Sequence, residues 1–390
     1  GWQWLALLFP VFTIALLFLY ITTVVSSSLF WLMVFVCYLI AFFISSKISA
    51  TYELLSRVSG EIGTLQRFLQ TIEEESFVSD KLIHLQQLLQ NKKGNTTSIE
   101  IKKLHHILNR FDVRLNTFLF FFLNTFLLWD LQQMLALNKW KQANEQNIQE
   151  WFTAIAEIEV SNSLATLFFN HPTWCMPLIA DAFFTIKGSG IAHPLLPEQN
   201  RVDNNFSLEG KGKIAVVTGS NMGGKSTFLR SVGVNTVLAL MGAPVCAGHF
   251  VVSVVKLMSS MRIADNLSEN TSTFYAELKK LKSIIEAVNE QQPILILLDE
   301  ILRGTNSLDR HTGSVALLKQ LIKKQAVAIV ATHDVELAAL KDEYPQAIHN
   351  YHFDVQAAGN ELYFDYKLKE GICKSLNASI LMKNIGIEIE

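Results

Sequence analysis

Nine residues constrain this 390-residue chain more than any others: Gly219-Ser220-Asn221-Met222-Gly223-Gly224-Lys225-Ser226-Thr227, directly after the apolar run Ile214–Thr218. The run reads as a buried strand, and the residues from Lys225 onward read as a helix. A strand, a glycine-rich turn and a helix in that order belong to an α/β sheet. The backbone N–H groups of such a turn, with the positive end of the helix behind them, form a cradle for phosphate. Gly219 through Thr227 are therefore the candidate nucleotide-binding residues of a GxxxxGK[ST] pattern. Lys225 is expected to reach the β- and γ-phosphates, and Ser226 to ligate Mg²⁺.

Two further apolar runs end in polar residues of the right kind. Ile294–Leu298 is followed by Asp299-Glu300, and Ala326–Ala331 by Thr332-His333-Asp334. Sheet chemistry sits at the carboxyl ends of such strands. Asp299 is expected to join Ser226 in holding the metal, and Glu300 to polarise an attacking water. His333 is expected to sense the terminal phosphate or orient that water, since phosphoryl transfer depends mainly on positioning and charge. Lys225, Glu300 and His333 form the candidate catalytic set, with ATP and Mg²⁺ as the expected ligands.

The stretch TGSNMGGKSTFLRSVG resembles the ATPase domain of the MutS family of DNA mismatch-repair proteins. Further blocks agree in order. Arg262–Glu277 resembles that family's signature segment, Asp299–Asp309 its Walker B and D-loop block, Ala331–Leu337 its switch-histidine block, and Tyr366–Gly386 its closing segment. Gly190–Leu195 and Val202–Leu208 are similar to its entry into the ATPase, and Ala156–Pro177 to the end of its helical core. The resemblance covers about residues 150–386. It implies an ABC-type P-loop NTPase domain, a mixed sheet flanked by helices, that works as a homodimer. Each site would be completed in trans by the partner copy's signature serine, here Ser272, and by its D-loop, here Asn306 to Asp309. It also implies a DNA partner. The chain departs from the pattern in places: Leu302 stands where the family usually has glycine, and Arg201–Val202 offers no aromatic to stack on adenine.

The front of the chain is of another kind. No Asp, Glu, Lys, Arg or His occurs before Lys47. A helix crossing about 30 Å of hydrocarbon needs roughly 20 residues. Residues 2–25 and 29–46 are long enough, or nearly so, to form a transmembrane hairpin turning at Ser26-Ser27-Ser28. Lys47 and Arg57 after the second span favour a cytoplasmic side for the rest. The expected location is thus the inner membrane, with the ATPase domain facing the cytoplasm. A second apolar burst, Phe118–Leu128, is too short to span; a buried core helix is expected, with a membrane-surface segment as the alternative.

These readings give an expected division into a hairpin at 1–46, a helical core and lever region at 47–180, and the ATPase domain at 181–390. Because residue 1 is glycine, the chain is expected to be a fragment or a processed product. Four scattered cysteines without a CxxC pair argue against a disulfide framework and fit a reducing compartment. Residues 47–150 hold 12 Lys+Arg and 11 Asp+Glu, a net of +1, so this region carries no basic footprint for nucleic acid. Two functions stay open: a membrane-anchored ATPase acting on DNA, or one whose nucleotide-driven dimer motion serves a non-DNA protein partner. An exporter-type transporter fits least, because LSENTST stands where an LSGGQ-like signature would be and one hairpin is too little to line a pore.

Overall fold

The computed structural model describes residues 1–90, 96–220, 222–261, 273–358 and 361–373, which fall into two compact units, Gly1–Asn162 and Ser163–Glu390.

The first unit is helical. It contains α1 (Trp2–Ile21), α2 (Ser27–Glu74), α3 (Asp80–Leu88), α4 (Thr97–Phe111), α5 (Thr117–Leu127), α6 (Trp129–Asn144) and the start of α7 (Ile148–Asn170). Both α1 and the first part of α2 are long and apolar enough to cross a membrane, each with a mean hydropathy of 2.4 over its most apolar window. The boundaries differ from the sequence expectation. The chain turns at Thr22–Ser26, with Thr23 at φ +60°, and the serines start the second helix, Ser26 capping it. Nor does that helix stop at residue 46. It runs through Lys47 to Glu74, because no proline interrupts it and Gly60 and Gly63 are tolerated within a helix.

The expectation of a buried core helix at Phe118–Leu128 is not met. In α5 only Asn124 and Thr125 are buried, while Phe118 is 76% exposed and Phe121 and Phe122 are 45% exposed. Eleven residues that are apolar nearly all round have only one side to press against α1 and α2, so the opposite side stays bare.

One buried ion pair organises this unit. Arg114 Nε lies 2.9 Å from Asp130 Oδ1 and Nη2 2.5 Å from Oδ2. Asp130 is fully buried. Its Oδ2 also accepts from the Ser45 hydroxyl at 2.6 Å, and Arg114 donates to the Ser45 carbonyl at 3.1 Å. The pair thus ties the entrance of α5, the start of α6 and the middle of α2 together.

The second unit is α/β. Its strands are β1 (Leu178–Ala180), β2 (Thr185–Ile191), β3 (Asn204–Glu209), β4 (Ile214–Gly219), β5 (His249–Ser253), β6 (Lys256–Ser260), β7 (Ile294–Asp299), β8 (Val327–Thr332), β9 (Ile348–Ala358) and β10 (Glu361–Glu370). Its helices are α8 (Lys225–Leu240), α9 (Thr273–Asn289), α10 (Ser307–Lys323) and the single turn α11 (Leu340–Glu343). A four-stranded sheet has the order β1-β5-β2-β3, and a six-stranded sheet the order β10-β9-β4-β8-β7-β6. In the larger sheet all neighbours are parallel except β10 on β9. It is the mixed sheet flanked by helices that the sequence leads one to expect.

Strands β4, β7 and β8 are buried along their whole length, which explains why they read as unbroken apolar runs. Alternate residues serve opposite faces. Ala215, Val217, Leu295 and Leu297 pack with Phe228, Leu229 and Val232 of α8 and with residues of the smaller sheet. Ile214, Val216, Ile296 and Leu298 pack with Leu281 and Ile284 of α9 and with Leu317, Leu318 and Leu321 of α10.

The ion pair makes a prediction. Arg114→Ala leaves Asp130 charged, buried and unpaired, and should destabilise the helical unit by about 3–5 kcal/mol. Removing both charges in Arg114→Ala/Asp130→Ala should cost less than the Arg114 change alone. Denaturant titration of the three proteins checks this; a double variant weaker than Arg114→Ala would refute the pairing argument.

Candidate functional site

The carboxyl ends of β4, β8 and β7 lie side by side. Thr218 pairs with Thr332 and Asp299 with Ala331, so the residues after each strand emerge at one edge. There they line a cleft of about 1100 Å³. Ser220, Met222 through Thr227, Glu300 and His333 belong to its wall. Asn221 lies outside the described residues.

The turn after β4 needs its glycines. Gly219 has φ +148°, and a Cβ there would sit 2.8 Å from the Phe353 carbonyl oxygen. Gly224, at φ +101°, precedes the first residue of α8, and a Cβ there would lie 3.2 Å from the Tyr366 ring. Met222 between them is also left-handed, at φ +72°. The turn leads straight into α8, whose first-turn N–H groups have no partner within the helix.

Lys225 is the most constrained cation of the cleft. It is 4% exposed, and its Nζ donates to the carbonyls of Gly219 and Ser220, each at 2.8 Å. Glu300 Oε1 stands 3.9 Å away. Burial pulls the ammonium down to about 8 from 10.5, with Asp299 opposing the fall. Glu300 also pairs with Arg303, and its second oxygen is 3.8 Å from His333 Nδ1. Burial, with Arg310, Lys225 and Arg303 nearby, lowers His333 below its usual value, so the ring is neutral at pH 7.

Among the described residues, several polar atoms of this edge are buried without a hydrogen-bond partner: Ser220 Oγ, Asp299 Oδ1 and His333 Nδ1. Buried polar atoms are normally satisfied, so a cluster of orphans marks a place built for a ligand. The groups fit a magnesium triphosphate. Lys225, Arg303 and Arg310 supply positive charge for phosphate oxygens. The carboxylate of Asp299 and the hydroxyl of Ser226 are the hard oxygen donors that Mg²⁺ takes, and Ser226 opens onto the cleft.

The residues assigned to a partner's site divide. Ser272 lies outside the described residues. Asn306 and Asp309 are described, and they cap α10: Asn306 Oδ1 accepts from Asp309 N at 2.9 Å and its Nδ2 donates to Asp309 Oδ2 at 2.6 Å. Both are exposed. Next to them His311 Nδ1 meets Asp334 Oδ2 at 2.7 Å, which ties the start of α10 to the loop that carries His333.

The lining residues that the sequence did not assign to the site include His193, Arg303, Arg310 and Tyr366. Arg303 and Arg310 stood within or beside a recognised block, and a cation three residues after Glu300 was a usable signal. His193, in the loop after β2, and Tyr366, on β10, also stood in recognised blocks, but only the tertiary structure brings them here. Tyr366 supplies an aromatic ring to a cleft that Val202 lines without one. Leu302, the residue found where glycine was expected, does adopt a left-handed backbone, at φ +59°. Its N–H donates to Glu277 Oε1 at 2.5 Å, a contact that holds it there.

Comparison with known proteins agrees with this geometry. Residues 215–384 match the family model of MutS domain V. The chain is 31% identical over 238 residues to the DNA mismatch repair protein MutS of Thermotoga petrophila, a match covering 60% of this chain and 28% of that protein. The MutS proteins of Natronomonas pharaonis and Aquifex pyrophilus are 32% and 33% identical, over 60% and 61% of this chain and 27% and 28% of their own lengths. These likenesses support a MutS-family assignment for the matched part. The chain spans less than a third of the length of these relatives.

The buried lysine has a pH signature. Between about 8 and 10.5 the unfolded chain holds the Lys225 proton and the folded chain does not, so stability rises with pH across that window. The rise attributable to this group should be about 3 kcal/mol. It should vanish in Lys225→Met. Denaturation free energies of both proteins across the window, without nucleotide, test it; equal pH slopes would refute it.

Proposed function

We propose that the chain is a MutS-family ATPase, binding and hydrolysing ATP with Mg²⁺ at the cleft between the ends of β4, β7 and β8. The observation that carries the reading is the convergence of the phosphate turn, Lys225, Asp299 and Glu300 on one edge, with orphaned buried polar atoms among them. The turn and Lys225 would hold the β- and γ-phosphates. Ser226 and Asp299 would hold Mg²⁺, which when bound neutralises phosphate charge. Glu300 would orient and deprotonate the attacking water. The neutral His333, 3.8 Å from Glu300, would position that water beside the terminal phosphate.

The site is read as composite. A second copy would bring its Ser272 and its Asn306–Asp309 segment to the open side of the cleft; Asn306 and Asp309 are exposed and hydrogen-bonded to each other. Lys225→Ala should lose Mg-ATP binding. Glu300→Gln should keep binding and lose hydrolysis by roughly a hundredfold or more. Ser272→Ala and Lys225→Ala, each inactive alone, should recover hydrolysis when mixed, since one hybrid site is then intact. Binding isotherms and phosphate release measure all of these. Retained ATP affinity in Lys225→Ala would sink the nucleotide reading; no recovery on mixing would sink the shared site.

The likeness to DNA mismatch repair proteins supports a role of that kind, while residues 47–150, at a net of +1, give DNA little to bind electrostatically. The second reading, motion delivered to a non-DNA protein partner, draws on that neutrality. Titration with matched and mismatched duplexes at two salt concentrations separates them. A DNA role requires affinity that falls as salt rises; its absence with ATP present would leave the protein-partner reading. The two long apolar helices support anchoring of the chain in the inner membrane with the ATPase unit on the cytoplasmic side. Release of the protein from membranes by alkaline carbonate would overturn that anchoring.

A further inference from the structure

Helix α5 is the least explained element of the helical unit. It is apolar, eleven residues long, and bare on one side. At Leu128, which is left-handed at φ +48° and 1% exposed, the chain bends by 77° into α6. Eleven residues rise about 16 Å, half of a hydrocarbon layer of about 30 Å.

Its neighbours fix its depth. Phe121 packs its ring 5.5 Å from that of Tyr38. The Thr13 hydroxyl donates to the Phe126 carbonyl at 2.8 Å, and Asn124 Nδ2 to the Ala41 carbonyl at 3.5 Å. Thr13 and Tyr38 are near the middle of the two apolar stretches of the hairpin. The chain enters beside Ser45 and Ser49 at Arg114 and is back beside Ser45 at Asp130. In and out are therefore at the same level, next to Lys47, and the buried ion pair closes the mouth of the loop.

Both backbone ends of α5 find partners within the protein. The Asn116 side chain accepts from Leu119 N at 3.1 Å at the start. At the end, Phe126 and Leu127 give their carbonyls to Thr13 and to Gln132 Nε2, the latter at 2.7 Å. Helices in water use such caps too, but a helix end in hydrocarbon has no solvent to fall back on and must find its partners in the protein. The exposed side of α5 presents Phe118, Phe121 and Phe122, and α2 beside it exposes Phe42 and Phe43. The apolar surface is thus continuous with that of the hairpin.

We infer that residues 115–129 form a re-entrant segment that enters the bilayer beside the hairpin, reaches its middle and returns to the same side, its outer face covered by lipid acyl chains. The inference rests on the hairpin reading and deepens it. Lipid is the occupant because the bare face carries no charged residue between Arg114 and Asp130. It also continues a surface of two helices that are themselves long enough to span.

The test uses the full chain in vesicles of phosphatidylethanolamine and phosphatidylglycerol, with the four native cysteines replaced by alanine. A nitroxide is attached in turn to Phe122→Cys, to Phe18→Cys on the hairpin, and to Val78→Cys, which is 95% exposed outside it. Collisions with dissolved oxygen report lipid, and collisions with a water-soluble nickel chelate report solvent. At positions 122 and 18, oxygen collisions should exceed nickel collisions several-fold, and position 78 should show the reverse. Position 122 behaving like position 78 would overturn the re-entrant segment and leave the hairpin standing. Low collision with both reagents at 122 would mean cover by protein and would also overturn it. Nickel reaching position 18 would remove the hairpin reading itself, and the inference with it.

Discussion

The parallel pairing of β8 with β4 on one side and β7 on the other is the constraint from which the rest of the cleft follows. Parallel strands in register end together, and whatever residues come next are delivered to one edge. That is how a phosphate turn, an Asp-Glu pair and a histidine, separated by tens of residues in sequence, come within a few ångströms. The interior of each strand is buried on both faces, so the register is held by core packing from α8 on one side and α9 and α10 on the other. A slip of one residue would exchange those faces and scatter the edge.

The edge is also where the second unit departs from local comfort. An ammonium group is 4% exposed, three polar atoms lack partners among the described residues, and Glu300 and Leu302 hold left-handed backbones at φ +49° and +59°. Each of these is unfavourable alone. They occur together next to a cleft large enough for a nucleotide; a bound polyanion would meet Lys225, and its accompanying cation would meet Asp299. Several such features at one edge of a packed sheet are the pattern of a site whose stability is completed by its ligand.

The helical unit solves a different problem. Its apolar helices have more surface than each other to cover, and its charges are held where that surface stops. Arg114 and Asp130 are buried with every strong contact satisfied by each other and by Ser45. Such a pair does little for stability relative to an apolar substitute, but it fixes one arrangement of three helices. Here it sets the level at which α5 leaves and rejoins the polar part of the chain.

Much of this was legible in the residues. The glycine-rich turn needs glycine at 219 and 224 because the backbone there has a positive φ, and that need is local, whereas the crowding by Phe353 and Tyr366 is tertiary. The apolar runs announced buried parallel strands because both faces of such strands are covered. The uncharged first 46 residues set two long helices, since solvent-facing helices carry a polar side. Only the tertiary structure decided which distant residues share the cleft, among them His193 and Tyr366, because that depends on strand order. It alone decided that α5 leaves its aromatic side bare, since composition does not say which face finds a neighbour. And it alone decided that Arg114 and Asp130 meet, because a pairing across sixteen residues rests on how the chain turns at Leu128.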